Sequence, residues 1–145
     1  MTTEQSGSLD SIEEPKEELK YAVNFKALNA MARPPEFMVR SRCCWQCQQM
    51  LDEMPEEAND LKFLLKQIGN DCSQRHDYLL PGTTLTEAVF RLMLAMNNRP
   101  LTIAEIQEQL SAAWASVIYM KDLSEELLER LLNAENDYMI EAIKK

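Results

Sequence analysis

Residues 84–94 have the sequence Thr-Leu-Thr-Glu-Ala-Val-Phe-Arg-Leu-Met-Leu, and residues 102–106 have the sequence Thr-Ile-Ala-Glu-Ile. Both stretches place a threonine three residues before a glutamate, the capping-box pattern that marks a helix start. An apolar pattern with helical spacing follows each of them. Asp122-x-x-Glu125 has the same form. The last third of the chain is therefore predicted to contain helices near 85–97, 103–116 and 123–134.

The chain before these helices shows three more helical patterns. The recurrence of apolar residues predicts helices over 17–31, 36–54 and 58–79. Prolines and a glycine punctuate them at Arg33-Pro34-Pro35 and at Leu80-Pro81-Gly82. The chain closes with Tyr138–Ile143, which predicts a short strand. The predicted fold class is mainly α: a helical hairpin followed by a three-helix module with at most a short strand.

Length and charge divide the chain further. With 145 residues, 46% of them hydrophobic, it has room for one average domain or two small ones. Residues 1–18 are rich in Ser, Thr and Glu and cannot bury enough apolar surface to order themselves. We therefore expect a flexible acidic tail over 1–18, a helical Cys/His region over 19–80 and a C-terminal module over 83–145.

The N-terminus has neither a basic segment nor an apolar one, so no signal peptide is predicted. Charges interrupt the apolar stretches, so no membrane contact is predicted either. Four cysteines without an export signal favour reduced thiols or a bound metal over disulfides. We expect a cytoplasmic protein.

All four cysteines and the only histidine lie between positions 43 and 76. Cys44-x2-Cys47 is followed, after 24 residues, by Cys72-x3-His76. Each pair lies on one face of a predicted helix, and an antiparallel hairpin turning near 55–60 brings the pairs together. Two spaced ligand pairs are the pattern of a structural zinc site. The predicted metal ligands are Cys44, Cys47, Cys72 and His76, and the predicted cofactor is zinc.

Other interpretations of these residues stay open. Cysteines are among the most buried residue types, so they serve equally as small core residues. Cys44-Trp45-Gln46-Cys47 also has the form of a redox dithiol, and cysteines hold iron–sulfur clusters. No βαβ pattern surrounds it, which speaks against a thioredoxin-like protein. Cys43 either substitutes for Cys44 as a ligand or remains a free thiol.

The sequence over residues 83–143 resembles a winged-helix module, similar in layout to the HARE-type helix-turn-helix domains of transcription-associated proteins. The resemblance rests on the capped helix that begins at Thr84 and on the segment Asn98-Arg-Pro-Leu-Thr-Ile-Ala-Glu-Ile. It implies three helices and a role in transcription regulation.

The charges around this module disfavour nucleic acid. Its third helix would face a DNA backbone with acids, and the whole chain carries a net charge of −9. These acids are Glu125, Glu126, Glu129 and Glu135, against the single Arg130. The best local case for nucleic acid is a sparse basic group: Lys26, Arg33, Arg40 and Arg42. A winged-helix module with these charges is expected to bind protein.

The sequence has no Gly-rich phosphate loop and no Ser-His-acid arrangement, so we expect no enzyme. The leading hypothesis is a non-catalytic interaction or regulatory protein, associated with transcription and stabilised by structural zinc. The alternatives are a sequence-specific DNA-binding regulator and a thiol-redox protein using Cys44 and Cys47. In the apolar segment 114–120, Val117 and Ile118 are expected in the core. Some of Trp114, Tyr119 and Met120 are expected to contact a partner or a second copy of the chain.

Overall fold

The computed structural model describes residues 19–80, 82–115 and 123–143. Within them the chain is mainly helical, as the sequence predicts, and it adds a small antiparallel sheet. The helices are α1 (Phe25–Ala30), α2 (Pro35–Arg40), α3 (Trp45–Asp52), α4 (Leu61–Asn70), α5 (Leu85–Ala95), α6 (Ile103–Ala113) and α7 (Glu125–Asn133). The strands are β1 (Lys20–Val23), β2 (Leu101–Thr102) and β3 (Ile140–Ala142).

The sheet has the order β2-β1-β3, with both pairs antiparallel. The central strand β1 comes from the start of the described chain, whereas its two neighbours come from the C-terminal third. Tyr21 lies opposite Leu101, and Val23 lies opposite Ile140. The sheet therefore joins the predicted 19–80 region to the predicted 83–145 module. One cluster of buried side chains likewise runs from Tyr21 to Ile140.

The predicted helix over 17–31 is wrong in its described first half, because Lys20–Val23 forms a strand. Tyr21, Ala22 and Val23 are all buried, as in a central strand covered on both faces. The helix begins only at Phe25, where the Asn24 side chain accepts a hydrogen bond from the N–H of Ala27 at 3.0 Å. That N-cap is the local reason for the change from strand to helix.

The two helices predicted for the Cys/His region are each interrupted. The helix predicted over 36–54 is divided into α2 and α3, with residues 41–44 between them. The helix predicted over 58–79 is reduced to α4, which a 3₁₀ turn precedes at Glu57–Asn59 and another follows at Cys72–Gln74. The interruptions determine where the cysteines lie, because Cys43, Cys44 and Cys72 are in them.

The C-terminal helices follow the prediction closely. Thr102 and Glu105 form a complete capping box at the start of α6. Thr84 caps α5 by accepting from the N–H of Glu87 at 3.3 Å, but the Glu87 carboxylate turns elsewhere. α7 starts at the N-cap Ser124, while Asp122 lies outside the described residues. The strand expected over 138–143 is confirmed as β3. The winged-helix resemblance remains a prediction.

Two features complete the fold. Gly69 has no side chain, which allows α4 to lie close to α5. A Cβ at that position would lie 3.1 Å from the carbonyl oxygen of Ala95. Across the described residues, none of the helices is both long enough and apolar enough to span a membrane.

Candidate metal centre

The structure brings all four cysteines to one place as free thiols. The sulfur atoms of Cys43, Cys47 and Cys72 lie within 4.8 Å of one another, and all three side chains are buried. Cys44 lies at the edge of this trio: its sulfur, the Cys72 sulfur and a carboxylate oxygen of Asp71 form a second group with the same limit. Cys72 belongs to both groups and is the centre of the cluster.

The sequence predicts His76 as a ligand. In the structure His76 is exposed and belongs to neither group of ligand atoms. The prediction assumed one continuous helix carrying Cys72 and His76 on the same face. Instead, α4 ends at Asn70, and a 3₁₀ turn at Cys72–Gln74 redirects the chain. Cys43, which the prediction left outside the ligand set, occupies the buried position instead.

The loop between α2 and α3 fixes the first two cysteines. Its backbone is held by N–H groups that bond back into α2, among them Cys43 N–H to the carbonyl oxygen of Arg40 at 3.0 Å. From the other side, the Gln48 side chain donates to the Cys43 carbonyl oxygen at 3.0 Å. Cys44 is the N-cap of α3, so its sulfur lies at the positive end of a helix. Cys47 lies in the first turn of α3.

Hydrogen bonds to sulfur join the two halves of the site. The backbone N–H of Cys44 donates to the Cys72 sulfur at 3.1 Å. The Cys44 thiol donates to a carboxylate oxygen of Asp71 at 3.8 Å. Asp71 also pairs with Arg75 at 3.3 Å, so a cation lies next to the half-exposed edge of the cluster. These contacts link the α2–α3 loop to the chain that follows α4.

Because the thiols lie close together, their pKa values shift in opposite directions. Hydrogen bonding with Cys43, aided by the N–H of Cys44, lowers the pKa of Cys72 to about 6 against the effect of burial. Burial raises the pKa of Cys47 to about 11, and hydrogen bonding to Cys72 followed by burial raises the pKa of Cys43. Within the cluster, Cys72 is therefore the thiol that ionises most readily, and Cys43 and Cys47 resist ionisation.

The donor set fits a sulfur-ligated metal ion. Two sulfur atoms that each lie about 2.3 Å from a tetrahedral zinc are separated by about 3.8 Å, within the spacing of the buried trio. Cys44 is the available fourth sulfur, and Asp71 is an oxygen donor beside it. Cys43, Cys44, Cys47 and Cys72 could thus hold zinc between the α2–α3 loop and the end of α4.

A partly buried ion pair supports the cysteine loop from the other side. Arg42 donates two hydrogen bonds to the Glu87 carboxylate, at 2.8 and 3.0 Å. Arg91 and the Tyr138 hydroxyl donate to the same carboxylate at 2.8 and 2.6 Å. The Arg42 guanidinium also lies 4.9 Å above the Phe90 ring. This network ties the residue that precedes Cys43 to α5 and to the C-terminal turn.

The arginines proposed as a basic group are paired with acids. Arg33 lies 3.5 Å from Asp137, Arg40 lies 2.7 Å from Asp52, and Arg42 binds Glu87 as described. Lys26 is exposed. These pairs offset the positive charge that phosphate recognition requires.

Trp114, one of the three residues among which a partner contact is expected, packs within its own chain. It is 6% exposed, and its indole N–H donates to the Leu79 carbonyl oxygen at 2.9 Å. Val117, Ile118, Tyr119 and Met120 lie outside the described residues. The large apolar side chains most exposed in the described chain are instead Trp45, at 70%, and Phe37, at 69%.

The ligand set predicted from the sequence leaves out Asp71 and includes Cys43 only as an alternative to Cys44. Cys43 and Cys47 are four residues apart, the spacing of neighbours on a helical face, although Cys43 itself lies in the loop before α3. No comparable signal marks Asp71, whose position depends on where α4 ends.

Comparisons with known proteins add nothing further, since no family model, no curated protein and no solved structure matches this chain.

Proposed function

We propose that this chain is a non-catalytic interaction or regulatory protein whose N-terminal helical region is held together by a structural zinc ion. One observation carries the proposal: all four cysteines, which are separated by up to 29 positions in the sequence, converge at one junction as free thiols. The ligands would be Cys43, Cys44, Cys47 and Cys72. Transcription regulation remains part of the proposal through the winged-helix resemblance alone.

Zinc is the metal that this donor set favours. Soft thiolate ligands select zinc among common divalent ions, and four of them form a tetrahedral shell. Buried thiolates are unfavourable unless a cation compensates their charge, and zinc provides that compensation. It would cross-link the α2–α3 loop to the end of α4.

A structural role is favoured over catalysis because four sulfur ligands leave no position for water or substrate. Three of the four thiols are also buried, which restricts access to the metal. An exposed tryptophan immediately after Cys44 supports the interaction part of the proposal, because tryptophan is enriched among residues that dominate binding energy.

Metal analysis of single variants tests the zinc site. Protein purified without chelator is expected to carry about one zinc per chain. Cys72→Ser and Cys43→Ser should lose most of the metal, whereas His76→Ala should keep it. His76→Ala is the matched control, because it separates the four-cysteine site from the Cys44, Cys47, Cys72 and His76 set. Cobalt substitution gives an independent measure of how many sulfur atoms bind.

Three results contradict this proposal in different ways. Absence of zinc, together with a melting temperature that EDTA leaves unchanged, would remove the metal site. Loss of zinc in His76→Ala would restore the Cys3His set. Visible absorption and stoichiometric iron would replace zinc by an iron–sulfur cluster.

The interaction role needs a separate test. Affinity purification from the source cells should recover a partner with the wild-type chain and lose it with Trp45→Ala. Leu80→Ala, at another exposed apolar residue, is the control and should retain the partner. Equal recovery by all three proteins would argue against Trp45 as a contact residue.

A further inference from the structure

A groove lies between the C-terminal end of α7 and strand β3, remote from the cysteines in the sequence. It encloses about 1010 Å³. Its lining comprises Met31, residues 132–137 and residues 139–143. Met31 and Ile143 are partly exposed apolar side chains at this groove. The groove therefore combines apolar surface with the outer edge of the sheet.

Backbone geometry shows which groups of β3 face the groove. Ile143 N–H bonds to the Lys20 carbonyl oxygen at 2.7 Å, and Asn24 N–H bonds to the Met139 carbonyl oxygen at 2.9 Å. Antiparallel pairs alternate between bonded and non-bonded positions, so Glu141 bonds to β1 and its two neighbours do not. The N–H and C=O groups of Ile140 and Ala142 consequently point away from the sheet.

The outward N–H and C=O groups of Ile140 and Ala142 differ in their hydrogen-bond partners. The Asn136 side chain accepts from the Ile140 N–H and donates to the Ile140 carbonyl oxygen, both at 3.0 Å. An amide thus takes the place of a neighbouring strand at Ile140. Ala142 has the same orientation beside the groove, and the described side chains show no hydrogen bond to it. The outward backbone groups of β3 are therefore bonded at Ile140, and within the described residues those of Ala142 stay available to a neighbouring strand.

The groove is also negatively charged. Glu135, Asp137 and Glu141 belong to its lining, and the described lining residues include neither lysine nor arginine. Arg33 approaches only Asp137, at 3.5 Å. A ligand that brings positive charge is favoured here over a neutral or acidic one.

We propose that this groove binds an extended, basic peptide segment of a partner protein, which adds to β3 as a fourth strand. Backbone hydrogen bonds at Ala142 would set the register, and alternate side chains would meet the apolar and acidic walls. The acidic residues 1–18 and a second copy of the chain, with its net charge of −9, are poor occupants because their charge has the same sign.

The probe is a capped synthetic peptide that alternates lysine and valine, compared with its glutamate–valine counterpart. Titration of the full-length protein, followed by amide NMR shifts, should show the lysine peptide shifting Glu141, Ala142 and Ile143. The glutamate peptide should leave these amides unchanged. Equal binding of both peptides, or no shift at millimolar peptide, would overturn the proposal.

Two variants locate the binding. Ala142→Pro removes the outward N–H, which β1 does not use, and should weaken binding by about tenfold or more. Glu135→Lys should weaken it severalfold, whereas Glu108→Lys, the same charge change at an exposed position of α6, should not. Unchanged affinity in the first two variants would contradict the site. If Ala142→Pro does not fold by circular dichroism, the Glu135 and Glu108 pair decides.

Discussion

The side-chain amide of Asn98 pairs with both backbone groups of Val23, as a neighbouring strand would. Val23 N–H donates to the side-chain oxygen Oδ1 of Asn98, and the Asn98 side-chain Nδ2 donates back to the backbone carbonyl oxygen of Val23, both at 2.9 Å. Val23 lies opposite Ile140, whose outer side Asn136 caps in the same way. Two asparagines therefore complete a row of the sheet where strand backbone is missing on both sides.

Asn98→Gly tests the first of these contacts. The positive φ of 56° at Asn98 suits glycine, so the variant removes only the two hydrogen bonds. We expect the free energy of unfolding to fall by about 1–3 kcal/mol, because two Val23 backbone groups lose their partners. Urea denaturation measures it. Asn97→Gly, at φ of 59° on the exposed neighbour, is the control. A loss as large in the control would attribute the effect to the turn.

The partly buried Glu87 carboxylate should make the free energy of unfolding depend on pH in the acid range. Burial opposes its ionisation, but hydrogen bonds from Arg42, Tyr138 and Arg91 outweigh that effect and lower its pKa to about 2. Because this folded-state pKa lies below the ordinary 4.5, the carboxylate stabilises the fold fully above about pH 4.5. That contribution declines as the pH falls towards 2.

Glu87→Gln should lower the free energy of unfolding near pH 7 by about 1.5–3 kcal/mol, the range for hydrogen bonds to charged groups. It should also flatten the decline in stability between roughly pH 5 and pH 2. Urea denaturation across that range measures both effects. Glu129→Gln, on the exposed face of α7, should retain the wild-type slope. Parallel curves for wild type and Glu87→Gln would contradict the assigned ion pair.

The parts of the fold that sequence predicts are those with local signals. α5 and α6 begin where Thr84 and Thr102 place side-chain caps, and a cap involves residues only three positions apart. β1 has no such signal. Its three buried residues pair with strands about 80 and 120 positions away, so its identity depends on contacts that local periodicity does not contain.

The sequence likewise predicts only part of the candidate site. Cys44 and Cys47 each lie near Cys72, because convergence of the two segments needs only a hairpin. Cys43 lies in the buried group and His76 is exposed, because their placement depends on two helix ends, near Ser41 and Asn70. No proline marks either end, and Gly69 lies inside α4 instead of ending it. A helical pattern that runs through both ends therefore predicts the wrong neighbours.

Trp114 and Trp45 offer a contrast between a buried and an exposed indole. Trp114→Phe removes the donor to the Leu79 carbonyl oxygen and should lower the free energy of unfolding by about 1–2 kcal/mol. Trp45→Phe, at an exposed position, should change it by less than about 0.5 kcal/mol. Far-ultraviolet circular dichroism follows both variants without using tryptophan as the probe. Equal stabilities would mean that the Trp114 contact contributes little.

Gly69 should resist the usual gain from replacing a helical glycine by alanine. Alanine is favoured over glycine inside a helix by about 1 kcal/mol. Here its Cβ would lie 3.1 Å from the backbone carbonyl oxygen of Ala95, closer than ordinary contact, so α4 and α5 would have to separate slightly. We expect Gly69→Ala to show no gain in urea denaturation. Lys66→Gly, on the exposed face of α4, measures the difference in helix propensity without a packing effect. It should lower the free energy of unfolding by up to about 1 kcal/mol. A full gain in Gly69→Ala would show that the two helices are packed less closely than the structure places them.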